Sequence, residues 1–172
     1  MKLISLTQGK FALVDDADFD RLTQHKWSAY RRVTKGKTVW YAIRKQCTRT
    51  NRRTTVYMHR QVLGVTDPKV EVDHRDSDGL NNQRKNLRIA THAQNQQNSR
   101  KQVVKCSSQF KGVYKHKDGK WIAQIKVPGE RVQRYLGSFE NEHEAAEAYD
   151  SAAHEHFKNF ALTNLKAPAL AF

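Results

Sequence analysis

The apolar positions of this chain recur mostly at a period of two, in short runs. In the first sixty residues LISL, KFALVD, VWYAIRK and TTVYMHR are rich in β-branched and aromatic residues, with Gly- or Lys-rich turns between them. Such runs predict strands. Asp15–Trp27 differs: Phe19, Leu22 and Trp27 are roughly helix-spaced, which predicts a short helix. VEVD and NLRIA alternate again on either side of DSDGLNN, whose Asp, Gly and Asn residues suit a turn. Thr91 with Gln94 is a capping box, so a helix should begin at His92 and carry Asn95 and Asn98 on one face. SRKQVVKCSSQ, at 99–109, has no apolar period and reads as a basic linker with a boundary near 105. FKGVYKH, KWIAQIKV and QRYLGSF then predict three strands, with turns at KDG and PGE. Asn141 with Glu144 suits a helix start, and Ala145, Ala148, Tyr149, Ala152, Ala153 and Phe157 follow at helical spacing. The pattern predicts an α+β chain. A β-rich N-terminal module at 1–100 contains a strand–loop–strand–helix core at 69–98. After a linker at 101–109, a three-stranded antiparallel sheet packs on one helix at 110–168.

Composition narrows the partners. The 172 residues are 38% hydrophobic with a mean hydropathy of -0.84, which favours small modules over one large core. Thirty-one Lys and Arg face seventeen Asp and Glu, a formal +14 with a pI near 10.0. That excess points to a polyanion, above all nucleic acid. No apolar run approaches the roughly 18 residues of a membrane-spanning helix, so no membrane is expected. The opening MKLISLTQGK is too short and polar for a signal peptide, and only Cys47 and Cys106 occur. A cytoplasmic protein with both thiols packed and inert is expected. The charge is segregated: 31–60 holds ten Lys and Arg and no acid, whereas 135–157 holds six acids and no Lys or Arg. Separate faces are implied.

The chemistry concentrates at Val70–Asn98. Hydrolysing a phosphodiester requires a deprotonated water, compensation of transition-state charge and a stabilised leaving oxygen. One hard divalent ion on oxygen ligands does the last two, and a neutral imidazole does the first near pH 7. Asp73 offers a carboxylate and Asn95 an amide oxygen, while His74 points to the other face of the strand. Asn86, at the start of the returning strand, can bridge the hairpin or orient His74. A calcium-loop reading of DSDG fails, because His74 stands at a ligand position and no closing Glu follows. His59, in YMHR, reads as a packed strand histidine.

Asp73-His74, Asn86-Leu87-Arg88, Asn95 and Asn98 together resemble the HNH endonuclease signature, most nearly that of phage and intron homing enzymes. The resemblance implies a ββα-metal fold, with Asp73 and Asn95 as ligands of Mg²⁺ or Mn²⁺, His74 as general base and Asn86 as the structural Asn. It leaves open whether Asn98 or His92 completes the metal shell.

The second module is similar to the Apetala/ethylene-responsive-factor (ERF) DNA-binding domain. Phe110-Lys111-Gly112-Val113, Gly119-Lys120-Trp121, Tyr135-Leu136-Gly137, Glu144-Ala145-Ala146, Ala148-Tyr149-Asp150 and Asn164 carry the likeness. The sheet's long cationic and aromatic side chains suit the DNA major groove, with Lys111, Tyr114, His116, Lys120, Trp121, Lys126, Arg131 and Arg134 as candidates. The resemblance implies that Lys111, Tyr114, Trp121, Lys126 and Tyr135 stand at positions where the family's sheet contacts duplex DNA. Lys or Tyr replaces several family arginines, and Lys lacks the guanidinium fork that grips guanine, so the family's target sequence does not transfer.

The expectation is a site-directed, homing-type DNA endonuclease, monomeric and without an obligate protein partner, of the kind a phage supplies to a bacterial host. The competing reading is a DNA-binding regulator that does not cleave. RNA binding is a third class, marked by preference for single strands.

Overall fold

The structure, a computed structural model, describes residues 1–34, 37–47, 51–99 and 106–165. The TKGK turn at 34–37 and the TRTNRRT loop at 48–54, both expected from sequence as exposed basic loops, and the linker at 101–109 lie partly outside the described residues, and the limit at 168 lies wholly outside them. The chain divides into two compact units, Met1–Asn95 and Gln96–Phe172.

In the first unit β1 (Lys2–Ser5) and β2 (Phe11–Val14) form an antiparallel hairpin. Its turn places Gln8 and Gly9 at φ 60° and 64°, the left-handed conformation that a tight hairpin needs. Alternation in β2 turns Ala12 and Val14 fully inward. Helix α1 (Asp16–Thr23) adds Leu22 to the same core. The helix is shorter than the predicted 15–27. Trp27 packs in the core from beyond it, and its indole N–H donates to the Leu22 carbonyl at 2.8 Å.

Strands β3 (Ser28–Thr34), β4 (Lys37–Cys47) and β5 (Arg53–Tyr57) form an antiparallel sheet in that order. β3 was not among the expected strands. One sheet face sends Ala29, Ala42, Trp40 and Val56 into the core beside Leu22, Met58 and Val62. Full burial of a side chain such as Leu22 or Met58 contributes about 1.5–3 kcal/mol. The run TTVYMHR breaks at Tyr57, where α2 (Met58–Leu63) begins, so His59 is a buried helical residue and not a strand residue. Gly64 at φ 69° ends α2.

β6 (Glu71–His74) and β7 (Leu87–Ala90) pair antiparallel, with Asp73 opposite Arg88 and His74 opposite Leu87. α3 (His92–Gln97) follows from the expected capping box. The Thr91 N–H donates to Gln94 Oε1 at 2.8 Å, and the Gln94 N–H donates to Thr91 Oγ1 at 3.2 Å. The helix ends at Gln97, so Asn98, expected on its face with Asn95, lies just past it.

The second unit has the expected architecture. β8 (Val113–Lys115), β9 (Trp121–Ile125) and β10 (Arg134–Phe139) form an antiparallel sheet ordered β10-β9-β8, backed by α4 (Glu142–Phe157). Asn141 caps α4 through its side-chain oxygen, which accepts from the His143 N–H at 2.8 Å. Ala145, Ala146 and Ala153 are fully buried, so the helix lies close against Val113, Ala123 and Ile125. Gly112 sits at φ 75°, and a Cβ there would come within 2.1 Å of the Tyr149 ring. The cysteines depart from expectation: Cys47 and Cys106 are exposed.

Candidate active site and nucleic-acid interface

The loop between β6 and β7 is polar, yet it is tightly held. Asn86 bridges it: its Nδ2 donates to Asp76 Oδ1 at 2.9 Å and to the Asn81 carbonyl at 2.8 Å, and its Oδ1 accepts from the Asp76 N–H at 3.2 Å. Burial alone would raise the Asp76 pKa. The Asp78 N–H and the Asn81 and Asn86 amides outweigh it and hold the carboxyl below its ordinary value. The loop is also fixed from outside. The Leu13 N–H donates to the Leu80 carbonyl at 2.9 Å, and the Asn82 N–H donates to the Leu13 carbonyl at 2.8 Å. Arg84 forks onto buried Asp18 of α1 at 2.7 and 2.8 Å, and Asp15 accepts from the Arg84 N–H. A Cβ on Gly79 would lie 2.3 Å from the Trp40 carbonyl oxygen, so only glycine lets the loop meet β4 this closely.

This anchoring places His74 in an aromatic pocket. His74 is buried, with the His59 ring perpendicular to it at 5.0 Å between centroids and the Tyr41 ring at 6.1 Å. Tyr57 lies 5.3 Å from His59 and completes the cluster. Burial lowers the His74 pKa, opposed by the Asn82 side chain and by Asp76, Asp73 and Asp78. The imidazole is thus held neutral at pH 7, the form a proton acceptor needs. Burial, with the neighbouring His74, pushes His59 down to about 3.

His59 makes the fold acid-sensitive. The unfolded chain binds a proton near 6.5 that the folded chain refuses until about 3. The stability this group confers is therefore complete above pH 6.5 and is lost as pH falls from 6.5 through about 3. A His59→Phe variant is expected to flatten that part of a melting-temperature-against-pH curve. An unchanged slope between pH 6.5 and 4 would show that His59 titrates normally.

Asp73 and Asn95, the two expected metal ligands, each engage another side chain. Asp73 is buried, and Arg88 donates to its Oδ2 from Nε at 2.7 Å and from Nη2 at 2.6 Å. Asn95 Nδ2 donates to Glu71 Oε2 at 2.7 Å, and His92 Nδ1 lies 2.8 Å from Glu71 Oε1. These contacts, the Asn95 bond first, hold the Glu71 carboxyl below its usual range. The donor types suit a hard divalent cation, since one carboxylate and one amide oxygen match its preference for oxygen. Among the described residues no three of His, Cys, Asp and Glu gather as a metal cluster. A ligand set built on one carboxylate and one amide does not require such a cluster.

Glu71, Arg88, His59 and Tyr41 were not singled out as site residues by the sequence. Arg88 appeared only as part of the Asn86-Leu87-Arg88 run and His59 only as a packed residue, whereas Glu71 left a positional signal: it stands two residues before Asp73 and so shares its face of the strand.

The candidate binding residues of the second unit divide between the two sheet faces. Tyr114 and Tyr135 are exposed on the face away from α4. Trp121 packs with the helix-side cluster, under Lys115 Nζ at 5.5 Å. Arg134 also turns to the helix side, bonding His156 Nε2 at 3.0 Å and pairing with Glu130. Lys126 Nζ donates to the carbonyls of Glu130 and Arg131, Arg131 itself being exposed. Lys120 pairs with Glu140 at 2.8 Å and His116 with Asp118 at 3.0 Å. Lys111 is half-buried, its Nζ donating to the Gln97 carbonyl at 2.6 Å.

Residues 56–97 match the family model described as HNH endonuclease. The chain is 47% identical over 60 residues to the AP2/ERF and B3 domain-containing transcription factor RAV1 of Arabidopsis thaliana, covering 35% of this chain and 17% of that protein. It is 44% identical over 45 residues to the ethylene-responsive transcription factor ERF017 of the same plant, covering 26% and 24%. With dehydration-responsive element-binding protein 2E of Oryza sativa subsp. japonica it shares 42% over 57 residues, covering 33% and 18%. The chain thus spans less than a quarter of each of these relatives. No helix among the described residues is long and apolar enough to cross a membrane.

Proposed function

We propose that the chain is a divalent-metal-dependent DNA endonuclease of the homing type, in which residues 1–100 cut and residues 110–168 supply the address. The observation that carries this reading is a neutral, buried His74 next to Asp73 on a hairpin whose loop is fixed by Asn86, inside the segment matching HNH endonucleases. His74 accepts the proton of the attacking water. Asp73 and Asn95 would hold the cation, Mg²⁺ or Mn²⁺, which when bound supplies Lewis-acid compensation of charge at the phosphate. Arg88 bonds Asp73 Oδ2 and fixes that carboxylate on its strand. Asn86 keeps the loop closed, so His74 is held in place before substrate arrives.

The charge around the imidazole fits an anionic substrate. Register puts Tyr30, Arg32, Lys45 and Arg53 on the same face of the β3–β4–β5 sheet as Tyr41 and Tyr57, which line the histidine pocket. All four are exposed. A duplex running over that face would bring its phosphates toward His74. In the second unit, Tyr114 and Tyr135 are presented opposite the acidic α4, and the similarity to the ERF proteins supports a duplex-binding role there.

Supercoiled plasmid and selected duplexes incubated with the protein and Mg²⁺ or Mn²⁺ test the reading. Nicked or linear DNA is expected, abolished by EDTA. Tight, sequence-selective binding with no cleavage under any divalent metal would assign the chain to the regulators instead. Stronger binding to single-stranded RNA than to duplex DNA would refute both.

A further inference from the structure

Glu71 belongs to no catalytic role assigned above, yet it contacts the one residue of α3 that does. β6 places Glu71 and Asp73 on the same face, two residues apart. His92 and Asn95, three apart on α3, both close on the Glu71 carboxylate, one at each oxygen, at 2.8 and 2.7 Å. Neither partner is near it in sequence: Asn95 is 24 residues away and His92 is 21. The contact therefore fixes how α3 returns over the hairpin.

The chemistry of the Asn95 bond is directional. An ionised carboxylate only accepts hydrogen bonds, whereas a primary amide has one donating and one accepting end. At 2.7 Å from Glu71 Oε2, the amide atom must be Nδ2, because two oxygens at that separation would repel. The planar amide then turns Oδ1 away from Glu71. With no such contact, a side-chain amide can rotate and offer either end.

From this geometry we infer that Glu71 is a positioning residue: by accepting from Asn95 Nδ2 it dictates that Oδ1 is the end Asn95 presents to a divalent cation. His92, on the other oxygen, holds the carboxylate in place for that task. The inference rests on the reading of Asn95 as a ligand. It assigns Glu71 no contact with the cation. It also explains how a neutral amide serves as a dependable ligand, since outer-shell partners orient inner ligands and their loss typically lowers metal affinity by about 10–100-fold.

Titrating the full-length protein with Mn²⁺ alone, followed by calorimetry and by the paramagnetic resonance signal of free Mn²⁺, separates the possibilities. Glu71→Ala is expected to weaken Mn²⁺ binding by about 10-fold or more. Glu71→Gln, turning its own amide oxygen to Asn95, is expected to recover most of the affinity. Circular dichroism and melting curves without metal establish that each variant is folded. Wild-type affinity in folded Glu71→Ala overturns the inference. So does a loss in Glu71→Gln as deep as that in Glu71→Ala, because charge and not orientation would then be what Glu71 contributes. Asn95→Ala tests the underlying reading separately. If it binds Mn²⁺ as the wild type does, Asn95 is not a ligand and both statements fall. If it loses binding while Glu71→Ala does not, the ligand stands and only the positioning role is refuted.

Discussion

Replacing His74 with alanine is expected to lower the rate of duplex cleavage by about 10²–10⁴-fold, the usual contribution of a positioned general base. DNA binding, measured by gel shift in Ca²⁺, should stay within about threefold, because a buried neutral ring carries little of the phosphate attraction. The pocket between His59 and Tyr41 would lose a packed ring, so His74→Asn serves as a second, better-filled variant. The pH profile of kcat/KM supplies an independent sign. Burial, the leading influence, lowers the His74 pKa, and a cation at Asp73 would push the same way. The free enzyme should therefore keep its activity down through pH 6.5 and lose it only below the ordinary histidine range. An acid limb centred at or above 6.5, or equal cleavage by both variants and the wild type, removes His74 as the base.

The second large effect is on stability. Arg88 and Asp73 are both buried, their side chains 8% and 6% exposed, and face each other across the hairpin. Removing one partner of such a pair strands the other charge, which typically costs about 3–5 kcal/mol. In a unit of roughly a hundred residues that corresponds to a fall in Tm of more than about 10 °C. Arg88→Met is the informative variant, since it keeps most of the stem's packing while deleting the guanidinium. Added Mn²⁺ should raise the Tm of Arg88→Met more than that of the wild type, as a divalent ion takes over the charge of Asp73. A Tm within about 1 °C of wild type for Arg88→Met would mean that the pair stabilises nothing; an equal response of both proteins to Mn²⁺ would separate Asp73 from metal binding.

What could be read from the sequence, and what could not, divides along a physical line. Elements announced by local chemistry were visible. The reciprocal Thr91–Gln94 cap, the alternation in β2 and β6, and the alanines of α4 each encode their structure within a few residues. β3 was not visible because its Tyr30, Arg31, Arg32 and Val33 are all exposed, so neither face gives the alternation of a half-buried strand. α2 was missed because six residues hold too little periodicity to outweigh the strand-like TTVY before them. At the site, the residue types were legible and their partnerships were not. Arg88 meets Asp73 only through strand register, and Glu71 meets Asn95 only once α3 has folded back. Trp121 and Arg134 looked like surface readers because aromatic and cationic residues are common at DNA. Which face each occupies is set by pleat and by the bulge between Tyr135 and Gly137.

The binding of the β6–β7 loop to Leu13, Asp15 and Asp18 has a bearing on any effort to move the HNH-like segment to another protein. The stretch matching HNH endonucleases begins at residue 56, but three of the clasps that shape its hairpin, at Leu13, Asp15 and Asp18, lie well upstream of it. A graft that carried only 56–97 to a new DNA-binding partner would leave Arg84 and Asn82 without their acceptors on the first hairpin and helix. The transplantable piece is therefore the whole N-terminal unit, and its opening twenty-odd residues support the hairpin as much as the strands that carry His74 do.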